Sequence, residues 1–314
     1  MTVRGRAFRF GIQLIPQRVA WPQYAAALQA VERLGFDTVW NFDHLLPYCG
    51  PDGDACFETL TTLGAMAALT SRVRIGVLVN GVLYRDPATL AKSAAMIDQI
   101  SGGRLEFTLG ASYARREFKA YGLPNPPAAE RFERLDEALQ IVKSLWTQPR
   151  TTFEGRHYRI EDAPCEPKPL QLPHPPIMVG GVGDVTLRIA ARHATSSNMY
   201  GSPETVAERA ALLESLCGEV GRDFDEIELS VHGDLALAST HAEAEAMAAR
   251  AAAAQGFDLE GQRDSWIIGT PDEAIDQLRR YVDVGVSHWI VHLNAPFDLT
   301  MLELLRDAVV PAFR

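Results

Sequence analysis

Short strand-like segments alternate with helix-like segments from one end of this chain to the other. The strand-like segments are apolar, and most helix-like segments repeat apolar residues at three- and four-residue spacing. Because the connections between them are short, we expect parallel strands with helices crossing over between them. About eight such units, with no linker-like change in composition, predict an α/β fold: a single (β/α)8 TIM barrel domain over residues 1–314. A doubly wound open sheet is the alternative.

The pattern gives approximate bounds for each element. The predicted strands lie within residues 8–15, 35–47, 73–80, 104–110, 176–181, 196–200, 226–237 and 287–293. The predicted helices span residues 22–34, 58–69, 87–100, 130–146, 185–194, 203–220, 241–254, 271–284 and 301–310. Two helix starts are strongly marked, since Asp86 precedes Pro87 and Thr270 begins a capping box with Glu273.

Residues 111–176 interrupt this rhythm between the fourth and fifth strands and are predicted to be an inserted loop and helix region. The insertion contains the amphipathic helix over 130–146 and a hairpin-like excursion over 151–160, flanked by proline-rich pieces. Long loops inside compact domains are usually functional or disordered. The aromatic and apolar content of this one favours an ordered insertion.

Charge and hydropathy exclude several classes of function. The formal net charge of -10 argues against a nucleic-acid partner, because phosphate binding needs a basic face. No apolar run approaches the roughly 20 residues that cross a bilayer, and no signal-type segment follows the basic N-terminus, so we expect a cytoplasmic protein without a membrane partner. The histidines lack metal-binding spacing, so no metal site is expected; a metal-dependent barrel hydrolase using Asp43, His44 and distant histidines is the alternative.

The second strand ends in two adjacent ionisable residues, Asp43 and His44, which is unusual for a buried strand. Active sites of such barrels form where strands end and loops begin. Strict alternation places Asp43 on the inward face and His44 outward, with Trp40 packed against the helices. Both residues reach one pocket only if the chain leaves the pleat near Asp43, which Pro47 favours. A turn capped by Asp43 and a loop hydrogen bond from His44 are the non-functional alternative.

A glycine-rich turn, Gly180-Gly181-Val182-Gly183, connects the fifth strand to the next helix. Bare backbone amides at a helix N-terminus suit an anionic group such as a phosphate. A tight strand–helix turn without a ligand is the alternative. The pattern differs from the G-x-G-x-x-G of dinucleotide binding because Thr186 stands at the third glycine, and the chain has no P-loop sequence.

Seven stretches, spread over nearly the whole chain, together resemble a known protein family. They are residues 35–40 with Asp43-His44, 84–92, 101–106, 110–113 with 116–118, 155–158, 175–181 and 268–271. In this order they resemble the bacterial luciferase-like family of flavin and deazaflavin oxidoreductases, and within it the branch that uses coenzyme F420. The resemblance implies a (β/α)8 barrel with an excursion before the fifth strand. Members that use flavin mononucleotide (FMN) share much of the pattern, so FMN is the alternative cofactor.

The resemblance also implies roles for individual residues. Asp43 would hydrogen-bond near the deazaflavin ring, and His44 would be the general acid/base that exchanges a proton with the substrate while hydride passes to or from the ring. A cis peptide bond behind the ring would fall between Leu78 and Val79. The expected cofactor-binding residues, besides Asp43, are Leu78, Val79, Asn80, Gly110, Ala111, Ser112, Tyr113, Gly180, Gly181, Val182, Gly183 and Asn198.

One departure from the family bears on the substrate. Sugar-phosphate dehydrogenases of this family carry a glutamate, their second proton-transfer group, where Tyr113 stands, so their activity is not expected here. The aromatic residues Trp40, Tyr84, Tyr113 and Trp289 suggest an apolar or planar substrate instead. The sequence thus predicts a homodimeric coenzyme F420-dependent oxidoreductase acting on a small organic molecule. The alternatives are an FMN-dependent monooxygenase served by a separate flavin reductase, and a non-catalytic flavin- or deazaflavin-binding barrel.

Overall fold

Eight parallel strands close into a barrel in the computed structural model, which describes residues 1–314. The strands are β1 Arg9–Leu14, β2 Thr38–Asn41, β3 Arg74–Val77, β4 Leu105–Leu109, β5 Ile177–Gly180, β6 Ser196–Met199, β7 Glu228–Leu237 and β8 Val286–Leu293. Each strand pairs in parallel with the next, and β8 pairs with β1 to complete the ring. The predicted (β/α)8 barrel is confirmed.

Helices connect the strands on the outside of the barrel. They are α1 Trp21–Leu34, α2 Thr59–Leu69, α3 Pro87–Ser101, α4 Arg115–Ala120, α5 Ala128–Thr147, α6 Asp184–His193, α7 Pro203–Glu219, α8 His241–Gln255, α9 Leu259–Gln262, α10 Pro271–Asp283 and α11 Leu299–Leu304. The two marked starts behave as predicted, because Asp86 accepts hydrogen bonds from the first amides of α3 and Thr270 forms a capping box with Glu273. The helix predicted over 301–310 instead ends at Leu304 and continues as a π-helix, Leu305–Val309. None of the helices is both long enough and apolar enough to cross a membrane.

The predicted insertion between β4 and β5 is ordered. It contains α4, which the sequence pattern did not predict, then α5 and an antiparallel hairpin of Thr151–Glu154 with Arg159–Ala163. Helix α5 packs on α3, where the indole of Trp146 donates a hydrogen bond of 2.9 Å to the Ala91 carbonyl. A second unpredicted element, the strand Trp266–Gly269, extends the sheet beside the C-terminal half of β7.

The main apolar core lies between the barrel strands and the helices. Phe10, Ile12 and Leu14 of β1 are fully buried in it together with Leu28 and Val31 of α1. These residues repeat every second position on the strand and every third position on the helix, as expected for two elements that bury facing sides. This layer fixes the barrel wall from outside and leaves the inner side chains to shape the two ends.

The inward face of β2 is the opposite of the one predicted. Trp40 is fully buried and packs against Met178 of β5 and Ile290 of β8, which are strands that β2 does not touch, so its indole lies inside the barrel. Its indole NH donates to the Thr38 hydroxyl, 2.8 Å away. Space for the ring exists because Gly76 on the neighbouring strand has no side chain, and an added Cβ there would collide with the indole. The prediction that Trp40 packs against the helices is therefore wrong.

Candidate active site

The carboxylate of Asp43 lies just beyond the end of β2, completely enclosed by the loop that follows β3. It accepts a hydrogen bond of 2.8 Å from the Gly81 amide and pairs with the Arg85 guanidinium at 2.8 and 3.0 Å. Arg85 also reaches Glu58 at the start of α2, 2.5 Å away. Asp43 thus ties the loops after β2 and β3 together at the C-terminal end of the barrel.

The imidazole of His44 turns to a different loop, the one after β4. Its Nδ1 lies 2.7 Å from the Glu117 carboxylate on α4, and its Nε2 lies 3.4 Å from the Tyr113 hydroxyl. Glu117 also accepts hydrogen bonds from the Leu45 amide at 3.0 Å and from the Tyr84 hydroxyl at 2.6 Å. Asp43 and His44 therefore share one end of the barrel, although their side chains contact different partners.

Glu117 is an anion that sets the state of the His44 ring. Burial raises the pKa of this carboxyl, but the hydrogen bonds from His44, Tyr84 and Leu45 together outweigh burial and hold the pKa below its usual range. An ionised carboxylate only accepts hydrogen bonds, so His44 must donate from Nδ1. In the neutral ring, Nε2 then carries a lone pair directed toward Tyr113 and the open mouth of the barrel.

The cis peptide bond predicted between Leu78 and Val79 is present, just after β3. The side chain of Val79 lies against the ends of β4 and β5, where Gly110 and Gly180 leave room for it. A Cβ added at either glycine would come within 2.7 Å of a Val79 methyl group. The amide of Gln13 holds the carbonyl of Leu78, 3.0 Å away. The Val79 cradle (Leu78, Val79, Gly110 and Gly180) is thus formed where β3, β4 and β5 end, at the same end of the barrel as His44.

The other residues predicted on this side surround the cradle. Asn80 donates to the Thr108 carbonyl at 3.1 Å, while its buried side-chain oxygen has no hydrogen-bond partner. Ser112 has a positive φ of 60° and accepts a hydrogen bond from the Leu83 amide, and Ala111 beside it is half-buried. Tyr113 projects outward and is 66% exposed. The loops after β3 and β4 are thus joined around an open-sided surface.

The glycine-rich turn after β5 leads directly into α6. Gly181 has a φ of 129°, which favours glycine, and its amide donates to the Asn198 carbonyl at 3.0 Å. Gly183 is the N-cap of α6, and no side chain caps this helix. Val182 is half-buried against the core. The first amides of α6 are therefore free of side-chain partners at the same end of the barrel as His44.

The wall opposite the cradle is built from β6, β7 and β8. The Asn198 side chain is occupied, because its amide donates to Ser230 at 2.9 Å and its oxygen lies 2.8 Å from His232 Nδ1. His292 Nδ1 lies 3.0 Å from the Asp234 carboxylate. Burial lowers the pKa of His232 to about 4, with His292 adding to the effect and Asp234 opposing it. His232 is therefore a neutral ring that donates from Nδ1.

Several residues at this mouth were missed by the reasoning from sequence. Glu117 and Arg85 belong to motifs that were recognised but given no role. Tyr48, Tyr200 and Asp234 were not singled out, although the last two lie near the ends of β6 and β7. Conversely, Trp40 and Trp289 are almost fully buried and cannot line a substrate site, and Tyr84 points its hydroxyl at Glu117. No group of three or more His, Cys, Asp or Glu side chains could hold a metal ion.

Comparison with known proteins identifies similar chains. The luciferase-like monooxygenase family profile matches residues 8–264. An F420-dependent glucose-6-phosphate dehydrogenase of Microbacterium testaceum is 32% identical over 308 residues, which cover 90% of each chain. An FMNH(2)-dependent dimethylsulfone monooxygenase of Pseudomonas putida is 30% identical over 76% of this chain and 65% of that protein. The solved structure of an F420-dependent secondary alcohol dehydrogenase with an F420-acetone adduct has the same fold, with a TM-score of 0.86, 20% identity, and coverage of 98% and 99% of the two chains.

Proposed function

We propose, from the premise that this chain belongs to the luciferase-like monooxygenase family, that it is an oxidoreductase which uses coenzyme F420 to transfer hydride to or from a small organic substrate. The 32% identity to an F420-dependent dehydrogenase over 90% of both chains supports the cofactor. The observation that carries the proposal is the arrangement of His44, with Nδ1 held by Glu117 and Nε2 directed to the mouth beside the Val79 cradle.

The residues of the mouth fit a deazaflavin. Gly110 and Gly180 leave the room that the Val79 side chain occupies, so Val79 can form the surface against which the ring system would lie. The buried side-chain oxygen of Asn80 lacks a partner, as expected where a ligand completes the hydrogen bonding. The uncapped N-terminus of α6 suits the phosphate of such a coenzyme.

These features divide the proposed coenzyme site into two parts. The cradle, with Asn80, Ala111 and Ser112, would lie against the ring system, and Gly181, Val182 and Gly183 would contact the phosphate side. When bound, the coenzyme supplies a two-electron hydride donor or acceptor, a chemistry that amino-acid side chains lack. The protein contributes orientation, exclusion of water and proton transfer. Asn198 stays in the proposed set only indirectly, because its side chain is satisfied and its carbonyl accepts a hydrogen bond from the Gly181 amide, which positions the glycine-rich turn.

Proton transfer is assigned to His44. Because Glu117 fixes Nδ1 as a donor, Nε2, whose contact with the Tyr113 hydroxyl is long at 3.4 Å, can accept a proton from a substrate hydroxyl or return one to a carbonyl oxygen. The anionic carboxylate stabilises the imidazolium that forms, as an acid paired with a catalytic histidine does elsewhere. Asp43 is a positioning residue in this proposal, since Arg85 and Gly81 occupy both of its oxygens.

A second candidate is an FMN-dependent monooxygenase, favoured by the 30% identity to an FMNH(2)-dependent enzyme over 76% of the chain. Titration of the purified chain with each cofactor separates the two candidates. We expect saturable quenching of F420 fluorescence at micromolar concentrations and much weaker binding of FMN. Tight FMN binding without F420 binding would overturn the proposal in favour of the second candidate.

A matched pair of variants locates the binding site. Gly110→Ala places a Cβ against Val79 and is expected to weaken F420 binding about tenfold, from the 1–3 kcal/mol typical of overpacking. Gly64→Ala makes the same chemical change in α2, where an added Cβ meets no atom within 4 Å, and should leave binding unchanged. Equal affinity in both variants would place the coenzyme elsewhere.

Two further parts of the proposal rest on the family resemblance, for the oligomeric state, and on the sequence pattern, for the location. A homodimer is expected, and light scattering on the purified chain gives its mass directly. A cytoplasmic location is also expected, and fractionation of the source cells tests it. Neither property is needed for the chemistry assigned to His44.

A further inference from the structure

Three tyrosines stand around the mouth of the barrel, each in the loop that follows a different strand. Tyr48 follows β2, Tyr113 follows β4 and Tyr200 follows β6, and the three are 43%, 66% and 52% exposed. The His44 ring lies between the first two, with centroid distances of 6.2 Å to Tyr48 and 5.8 Å to Tyr113. Tyr200 lies 5.9 Å from His232 on the opposite wall. Aromatic faces therefore border the space above His44 on several sides.

Two of the three phenols have the His44 ring as a common neighbour, and the Tyr113 hydroxyl lies 3.4 Å from His44 Nε2. Tyr200 lies at the same end of the barrel, against His232. Tyr48 is backed by Phe257, with ring centroids 5.6 Å apart, so its ring is held in place from behind. The tyrosine ring (Tyr48, Tyr113 and Tyr200) is thus a preformed aromatic border around the position next to His44 Nε2.

No cationic side chain contacts His44 or the three tyrosines in a hydrogen bond. The connections that follow the barrel strands, α4 included, carry five cationic side chains, which are Arg18, Arg85, Arg115, Arg116 and Lys119. The first, second and fourth of these are ion-paired with Asp54, Asp43 and Asp52 respectively. The other two are exposed on α4 and take no part in the hydrogen bonds of the mouth. Glu117 and Asp234 add negative charge next to His44 and His292.

Such surroundings disfavour an anionic substrate. A phosphate or carboxylate bound in a protein normally meets arginine, lysine or a set of free amides. The first amides of α6 have no side-chain cap, and the proposed function assigns them to the coenzyme. A second anion next to Glu117 and Asp234 would lose its hydration without gaining a partner.

We infer that the substrate site of this protein selects uncharged molecules with a flat ring or conjugated system, which lie within the tyrosine ring and present a hydroxyl or carbonyl oxygen to His44 Nε2. This inference rests on the proposed function for the identity of the reaction, but the selectivity itself is a property of the mouth. This selectivity for uncharged substrates would distinguish the chain from relatives named as glucose-6-phosphate dehydrogenases. Aromatic faces bind planar rings by stacking and edge contacts that depend little on charge.

Three probes with the same ring and different charge test the selectivity: benzyl alcohol, benzoate and phenyl phosphate. Their dissociation constants are measured by ligand-observed NMR on the full chain, with and without bound F420. We expect benzyl alcohol to bind at least tenfold more tightly than either anion, and glucose 6-phosphate to show no specific binding. Equal or tighter binding of phenyl phosphate or glucose 6-phosphate would overturn the inference.

Variants of the tyrosine ring connect the selectivity to this site. Tyr113→Ala and Tyr200→Ala should each weaken benzyl alcohol binding about three- to tenfold, the loss expected for one aromatic contact. Tyr158→Ala removes a tyrosine from the distant hairpin turn and should change nothing. If Tyr113→Ala and Tyr200→Ala bind benzyl alcohol as tightly as the control Tyr158→Ala, these tyrosines do not form the substrate site.

The same preparations distinguish failure of this inference from failure of the proposed function. F420 binding is measured separately through the fluorescence of the coenzyme. If F420 does not bind but benzyl alcohol is still preferred and depends on the tyrosine ring, the proposed function fails and the selectivity stands. If F420 binds and the probes are not discriminated, the selectivity fails and the proposed function stands.

Discussion

The two ends of this barrel both carry buried ionisable side chains, but they are organised in opposite ways. At the N-terminal end, Arg9 donates to Glu106 and Glu228, each at 2.5 Å, and Arg74 donates to Glu106 at 2.8 Å. These groups join β1, β3, β4 and β7, and a polar cavity of about 300 Å³ lies among them. Every carboxylate of this set faces a cation, so the N-terminal end has the features of a structural network.

At the C-terminal end, by contrast, some ionisable side chains keep an atom without a strong partner at the open mouth of the barrel. Asp43 is satisfied by Arg85, but His44 uses only Nδ1 in a strong contact, and the tyrosine ring is largely exposed. Gly110 and Gly180 lie at this end, where an added Cβ would collide with the Val79 side chain. The comparison teaches that buried charge alone does not mark a site in this fold. In our proposal, the site is marked instead by polar atoms whose hydrogen-bonding capacity is left open, such as His44 Nε2 and the buried side-chain oxygen of Asn80.

The largest expected effect on stability lies at the N-terminal end. Arg9→Met leaves Glu106 and Glu228 with a weakened set of partners inside the barrel, so we expect the free energy of unfolding to fall by about 3–5 kcal/mol. Denaturant unfolding followed by circular dichroism measures the change. Arg280→Met is the matched control, because its pair with Glu204 is more than half exposed and should cost at most about 1 kcal/mol. A loss of stability no larger than that of the control would mean that the ion pairs of Arg9 do not stabilise the fold.

A pH-dependent effect of intermediate size belongs to His232 on the wall of the mouth. Its pKa is about 4 in the folded chain, below the usual 6.5, so the unfolded chain binds an extra proton between these values. Stability should therefore fall as pH drops from about 6.5 to 4, by about 3 kcal/mol in total, and be unaffected by this group at higher pH.

The variant His232→Asn isolates this contribution, since an asparagine amide can still donate toward Asn198. We expect the wild type to lose stability faster than the variant between pH 7 and pH 4.5 in parallel denaturant titrations. If stability changes with pH to the same extent in both proteins, His232 is protonated in the folded chain over this range, and its description as a neutral ring is incorrect.

A smaller energetic effect, confined to catalysis, is expected at Glu117. Glu117→Gln keeps the size of the side chain but removes the anion that holds His44 Nδ1, so hydride transfer should slow about 10- to 100-fold, which is about 1.4–2.7 kcal/mol. F420 affinity and the unfolding midpoint should change little. Glu133→Gln is the control, because Glu133 makes a comparable 2.7 Å contact with His157 on the surface. A loss explained entirely by weaker F420 binding would contradict the positioning role.

The sequence predicted the barrel well because its local signals agree with the global fold. Proline-preceded caps such as Asp86 and Thr270 fix helix starts, and the apolar segments at β1 and β8 match strands within one or two residues. The inward face of β2 was predicted wrongly because a large indole was assumed to face the helices. Gly76 on the adjacent strand was the signal that the barrel interior has room for it.

The site was predicted only in part for a different reason. Asp43 and His44 are adjacent in one sequence motif, and the family resemblance located the cis bond at Leu78–Val79, which the structure confirms. Glu117 is 73 residues from His44, and only the folded insertion brings α4 over the end of β2. Tyr48 and Tyr200 lie in separate loops, and no local pattern indicates that they surround one space. Contacts of this kind depend on loop paths that hydrophobic periodicity does not determine.

The central claim is that His44 transfers the proton that accompanies hydride transfer at the Val79 cradle. Single-turnover reaction of wild type and His44→Asn with F420, followed by deazaflavin absorbance and using the uncharged substrate that reacts fastest, tests it most directly. We predict a rate about 10²- to 10⁴-fold lower in the variant, with an F420 dissociation constant within about threefold of wild type. A rate equal to that of wild type, measured with F420 still bound, would contradict the claim.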